Sequence, residues 1–137
     1  MFVCKIVYDT PVREISLPVT IGCTECFRKV RSCKGIIDTG ATASMIAKNI
    51  VADIDLVPVG SSNISGVHGI QSARNFLADI YFGSHLFKDL PVAEAADNAG
   101  FDFLVGMDIL QNADFRFFTN EDGYRVFQLE FFGPDQA

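Results

Sequence analysis

A mainly β domain with one or two short helices is the fold class this sequence predicts, and three observations predict it. The apolar runs are short and rich in β-branched and aromatic residues, with thirteen Phe in the chain. Turn-forming residues separate those runs at close intervals. No internal repeat, low-complexity tract or linker breaks the pattern, so the 137 residues read as a single domain, 1–137. A content of 49% hydrophobic and 20% charged residues is enough for a packed core and excludes a disordered chain.

Taken in order, residues 2–7 are apolar and β-branched enough for a strand. Residues 15–21 alternate apolar and polar apart from Pro18, which suits a strand with a free edge. Gly35-Ile-Ile37 runs directly into Asp38-Thr-Gly40. Ile46, Ile50 and Ile54 then fall on one face of a 3.6-residue period, which predicts a helix. Residues 58–64 and 76–82 read as strands on either side of a hairpin tip, Ser65-Gly-Val-His-Gly69. Phe101-Asp-Phe-Leu-Val105 is another strand, stopped by Gly106, and residues 107–112 fit one or two helical turns. A last hairpin joins residues 115–119 to 124–132 through Asn120-Glu-Asp-Gly123, which carries the residues such a turn prefers. The Phe set at 115, 117, 118, 127, 131 and 132 reads mainly as core, with dimer surface as the alternative for part of it. His85, Asp53 and Asp55 read as surface residues.

Charge excludes some partners. A formal net charge of −6 argues against nucleic acid or an anionic membrane, both of which select basic patches. No apolar run approaches the roughly 20 residues of a membrane helix. The stretch at residues 1–9 is interrupted by Lys5 and Asp9 and does not read as a signal peptide, so a cytoplasmic location is expected. Of the four cysteines, Cys23, Cys26 and Cys33 lie in one polar segment, and the Cys-x-x-Cys spacing is that of half a zinc site. A fourth ligand would have to be His68 or His85, brought in by the fold. Free thiols or one disulfide are the plainer reading, and no metal is predicted.

The stretch most informative about chemistry is Ile36-Ile-Asp-Thr-Gly-Ala-Thr-Ala-Ser-Met-Ile46. A carboxylate follows an apolar run, then a hydroxyl, then a Gly that permits a tight turn. An Asp-[Ser/Thr]-Gly tripeptide alone is weak, occurring by chance in about one chain in twenty of this length. Its plain reading is a strand-to-turn junction with Asp38 bonding the following backbone N–H groups. Two further landmarks raise its weight: the glycine-flanked hairpin tip, and Phe103-Leu-Val-Gly-Met-Asp-Ile-Leu110.

That ordered set, across residues 16–119, resembles the retropepsin-like aspartic proteases, most of all their retrotransposon-type and bacterial members. The resemblance implies an acid-protease fold, a closed β-barrel with one lobe per chain. It makes Asp38 the catalytic carboxylate, with Thr39, Gly40, Ala41 and Gly106 supporting the active site. Gly66, Val67, His68 and Gly69 become the flap over the substrate. Viral members pair an acidic residue after Asp-Thr-Gly-Ala with an Arg after the second Gly. Thr42 and Met107 stand there instead, so the rim of this site must be braced differently.

Peptide hydrolysis of this type needs one carboxylate to activate water and a second acid to polarise the carbonyl and protonate the leaving nitrogen. Two such groups a few ångströms apart share one proton and titrate as a pair. The chain has a single Asp-Thr-Gly; Asp122-Gly123 lacks the hydroxyl, and Asp108 falls in the helix after Gly106. The second Asp38 is therefore expected from a second chain in a homodimer, with a peptide or protein as substrate and no cofactor. The alternative is a non-catalytic dimerisation or peptide-binding module of the same fold. Asp38-Thr39-Gly40 favours the enzyme, because a binder gains nothing from holding two like charges together.

Overall fold

A computed structural model describes residues 2–23, 29–66 and 69–132. Among these residues ten strands and two short helices follow one another. They are β1 (Phe2–Tyr8), β2 (Ser16–Cys23), β3 (Val30–Ile37), β4 (Met45–Ile46), α1 (Lys48–Asp53), β5 (Pro58–Gly66), β6 (Gly69–Phe82), β7 (His85–Glu94), β8 (Phe103–Val105), α2 (Met107–Leu110), β9 (Ala113–Thr119) and β10 (Arg125–Phe131). The expected mainly β class is what the chain adopts.

The larger sheet runs β2-β3-β8-β4-β7-β6-β5, and Thr20–Cys23 of β2 also pair with Ala78–Tyr81 of β6. That extra pairing closes six strands into a barrel and leaves β5 outside it as half of a hairpin. Closure removes sheet edges that would otherwise need covering. β2 meets β6 only from Thr20 onward, so Pro18 sits in the half of the strand that pairs with β3 alone. The alternation read from the sequence becomes burial: Leu17, Val19 and Ile21 of β2 and Phe76, Ala78, Ile80 and Phe82 of β6 join one core cluster. Gly35 lets β2 and β8 flank β3 closely, since a Cβ there would lie 3.0 Å from Val19 and 3.2 Å from Val105.

A second sheet, β1-β10-β9, packs beside the barrel through Phe2, Phe127, Leu129 and Phe131. The turn between β9 and β10 forms as its residues predict: Asn120 Oδ1 accepts the N–H groups of Asp122 (3.1 Å) and Tyr124 (2.9 Å), and Gly123 takes φ 85°. The Phe set divides. Phe127 and Phe131 are core, whereas Phe115, Phe117 and Phe132 are exposed. Among the described residues no helix is long and apolar enough to cross a membrane.

Three expectations need correction. The helix is shorter than the Ile46, Ile50, Ile54 period implies, because Ile46 belongs to β4; all three are nonetheless buried. Strand β7 was not expected: Lys88, Asp89 and Pro91 break its pattern, and burial becomes continuous only at Val92, Ala93 and Glu94. His85 is half-buried and stacks on Phe131, with ring centroids 5.0 Å apart. Asp53 and Asp55 are exposed as expected, at and just after the end of α1, and pair with Arg31 and Lys29 respectively.

Candidate active site

Strand β3 lies parallel to β8, with Gly35, Ile36 and Ile37 opposite Phe103, Leu104 and Val105. The chain leaves that pairing at Asp38, whose N–H still donates to Val105 O at 3.0 Å. Asp38 is thus held at the C-terminal end of a core strand while its side chain remains partly exposed. Its Oδ1 accepts the Gly40 N–H at 2.9 Å, and Ala41 N–H donates to Asp38 O at 3.2 Å. These are the local bonds an Asp-x-Gly turn makes by itself.

The surrounding cage goes beyond a turn. Gly106, at the end of β8, passes so close to the loop that a Cβ there would lie 2.7 Å from Ala43 C, 2.9 Å from Ala43 O and 3.0 Å from Ala41 O. Glycine is required at this position by close approach to backbone, not by an unusual φ. Met107 N–H donates to Ala41 O at 2.8 Å, tying the start of α2 to the loop.

Ser44 and Asp108 finish the cage. Ser44 is fully buried; its N–H donates to Asp108 Oδ2 at 2.9 Å and its hydroxyl to Asp108 Oδ1 at 2.7 Å. The same hydroxyl oxygen accepts the Gly106 N–H at 3.0 Å. Asp108 Oδ1 also accepts the Ile109 N–H at 2.9 Å. Thr42 is exposed and Met107 half-buried, so the brace that the absent acid–arginine pair would supply is supplied one and two residues further along. Sequence reading placed Ser44 in the motif and Asp108 in the helix but did not join them. Their shared signal was a buried-type hydroxyl and an acid, each just after a glycine-containing turn.

Thr39 and Gly40 are exposed at the loop's outer side. Gly66 and Gly69 close the β5–β6 hairpin as its last pair, and Gly69 has φ 96° with open space around it. Val67 and His68, expected at the tip, lie outside the described residues. Residues 57–65 and 69–75 are exposed or half-buried, so most of this hairpin stands clear of the core. Between its stem and the barrel runs a cavity lined by Met45, Lys48, Ile64, Arg74, Glu94 and Phe101, among others. Inside it the Arg74 guanidinium forks onto Glu94, at 3.1 Å from Nε and 2.6 Å from the terminal nitrogen.

The cysteine expectation resolves only in part. Cys33 lies in β3 opposite Val19, and Cys23 ends β2, while Cys26 is outside the described residues. Among the described residues no three His, Cys, Asp or Glu side chains gather as a metal site. Burial pushes the Cys33 thiol up to about 11, with the nearby Asp102 charge adding to the rise and Arg31 opposing it.

Comparison with known proteins agrees with this architecture. The aspartyl protease family model matches residues 26–109, and the chain belongs to that family. Its fold is retropepsin-like. It is similar to a retropepsin-like aspartic protease from Rickettsia conorii, with a TM-score of 0.55 at 14% identity over 93% of this chain and 92% of that one. It is similar also to EIAV protease complexed with the inhibitor HBY-793, with a TM-score of 0.57 at 19% identity over 77% of this chain and 92% of that one. No curated protein matches the chain.

Proposed function

We propose that the chain is an aspartic endopeptidase, that residues 1–137 act as one catalytic unit, and that two copies build each active site. The observation that carries this reading is the caging of Asp38. A carboxylate at a strand end is ordinary, but one whose loop is pinned from β8, α2 and Ser44 at once is held in place for a task. Membership of the aspartyl protease family supports the same role.

The chemistry follows from the residues. One Asp38 carboxylate takes a proton from water as that water attacks the scissile carbonyl carbon. The protonated partner, Asp38 of the second copy, donates to the carbonyl oxygen. The tetrahedral intermediate collapses as the leaving nitrogen is protonated, and the C–N bond breaks to give a free acid and a free amine. In this reading Thr39, exposed beside Asp38, meets the second chain, and exposed Gly40 offers backbone to the substrate. Ala41 and Gly106 keep the loop in register through Met107 N–H and the close approach at Ala43. The hairpin ending at Gly66 and Gly69, with Val67 and His68 at its tip, covers the peptide and limits water access. No metal or organic cofactor enters these steps.

The test is incubation with a diverse peptide library from acidic to neutral pH, wild type beside Asp38→Asn. Cleavage by the wild type that the nearly isosteric amide abolishes, with the melting curve kept, is the expected result. Equal cleavage by both proteins overturns the assignment of Asp38. No cleavage by either, at any pH, favours a binding module of the same fold.

A further inference from the structure

The cavity between the β5–β6 stem and the barrel, about 440 Å³ in volume, carries charges that the proposed bond cleavage does not use. Its two cations are Arg74 of β6 and Lys48 at the start of α1; its two acids are Glu94 at the end of β7 and Asp97. They pair as Arg74–Glu94 and Lys48–Asp97, the second at 3.1 Å, so the lining as a whole is neutral. The arrangement of the charges is not.

The Glu94 side chain is 6% exposed and that of Arg74 is 56% exposed, so the carboxylate lies behind and the guanidinium in front. Both Glu94 oxygens are taken by the fork, which uses two of the five guanidinium N–H groups. The other three meet no acceptor among the described residues. Arg74 also lies over the Phe76 ring, at 5.3 Å, so its plane is held from two sides before any ligand arrives. Lys48 is half exposed, and its partner Asp97 is 78% exposed, so water weakens that pair and leaves the ammonium free to turn. A cavity built this way offers donors and positive charge while hiding its acceptor. An oxygen ligand bearing negative charge satisfies it.

Its place bears on the reaction. Met45 in its wall lies opposite Leu104, and Leu104 lies opposite Ile36, two residues before Asp38. Two strand spacings and two residues along β3 put Met45 roughly 12 Å from Asp38, a span that an extended peptide covers in about four residues. The facing wall includes Ile64, two residues before Gly66 of the hairpin proposed to cover the peptide.

We infer that this cavity receives an acidic side chain of the substrate, a Glu or Asp within about four residues of the scissile bond. Its carboxylate docks on the outer edge of the Arg74 guanidinium with Lys48 beside it, and Glu94 positions that guanidinium from behind. This deepens the proposed function and rests on it for the bound peptide. A net charge of −6 disfavours acidic peptides at every position, so a preference for Glu at a single position has to come from a local site.

The experiment starts from a peptide that the wild-type chain cleaves. Glu, Gln, Leu and Lys are placed in turn at each of the four positions on either side of the bond, and kcat/KM is read. At one position Glu should exceed Gln about tenfold, equivalent to about 1.4 kcal/mol, with Lys the poorest. Added salt should narrow that gap. Arg74→Gln with Glu94→Gln, a pair of amides that can still hydrogen-bond, should lose most of it. Exchanging the charges, Arg74→Glu with Glu94→Arg, should turn the preference towards Lys; where circular dichroism shows that the exchanged chain does not fold, the neutral double variant carries the test. Equal rates with Glu and Gln at every position, or a Glu advantage that survives in the neutral double variant, would overturn the inference. The two readings fail separately. Cleavage with no such preference keeps the protease and refutes the acidic subsite. If no peptide is cleaved, the role of Asp38 falls and binding decides: a peptide library retained on the immobilised chain should be enriched in Glu or Asp at one position, and retention without that enrichment refutes the subsite as well.

Discussion

Replacing Asp108 by Ala removes the acceptor for three donors at once: Ser44 N–H, Ser44 hydroxyl and Ile109 N–H. Ser44 is fully buried, so water does not readily take the vacated place. A buried donor left without a partner costs about 1–3 kcal/mol, and bonds to an ionised acceptor lie at the upper end of that range. Ile109 N–H sits in the first turn of α2 and also reaches Gly106 O at 3.1 Å, so its loss weighs little. Summing the two Ser44 donors gives a destabilisation of about 3–5 kcal/mol. In a domain of this size that lowers the melting temperature by roughly 10–20 °C. Asp108→Asn keeps one acceptor oxygen and should lose about half as much.

The magnitude can be dissected. Ser44→Ala removes the hydroxyl that both donates to Asp108 and accepts from Gly106, and should cost about 1–3 kcal/mol alone. The double variant should be more stable than the sum predicts by about 1–2 kcal/mol, since the two residues share one bond. Urea denaturation followed by circular dichroism, extrapolated linearly to water, measures all four corners of the cycle. Strict additivity, or an Asp108→Ala chain within about 0.5 kcal/mol of wild type, would refute the brace.

Three further outcomes follow from the geometry. Gly106→Ala forces a Cβ to 2.7 Å from the Ala43 carbonyl carbon, and because backbone must move it should destabilise by about 2–4 kcal/mol, read from the same denaturation curves. Arg74→Leu leaves Glu94, 6% exposed at its side chain, without its cation; the melting temperature should fall, and Glu94→Gln in the same chain should restore part of it. Cys33, raised from 9.0 to about 11, should react with iodoacetamide at pH 8 roughly a hundredfold more slowly than a free thiol, measured by mass spectrometry. By linkage the folded chain keeps that proton where the unfolded chain has lost it, so this thiol withdraws stability as pH rises from 9 towards 11.

What was legible in the sequence followed from local rules. The β9–β10 hairpin could be read because Asn120 and Gly123 satisfy their own turn, with no help from elsewhere. The β5–β6 hairpin was legible from its glycine-flanked tip, although β6 begins at Gly69, well before the strand expected at 76–82. Strand β7 could not. Its place is set by neighbours, β6 along most of its length and β4 at Ala93 and Glu94, and its sequence carries Pro91 and a Lys-Asp pair instead of alternation. The Ile46, Ile50, Ile54 period marks three buried positions correctly but assigns them to one helix, because a two-residue strand leading into a six-residue helix can bury the same spacing. At the site, Asp38-Thr39-Gly40 and Gly106 were visible as motifs. The Ser44–Asp108 bond joins residues 64 apart, a distance no local pattern reports.

The same contrast organises the molecule. Everything that fixes Asp38 from behind is internal to one chain and closed: β8 on one side, the Gly106 approach beneath, and a hydroxyl–carboxylate brace with its donors satisfied. Everything in front of Asp38 is open. Thr39 and Gly40 are exposed, the stem of the β5–β6 hairpin stands clear of the core, and β9 carries two uncovered rings, of which Phe117 shares a groove with Ile37. A chain that worked alone would gain by covering those rings, at about 25 cal/mol for each Å² of apolar surface removed from water. On the proposed function, a chain that has not found its copy lacks the acid–base pair, so site assembly and dimerisation are one equilibrium.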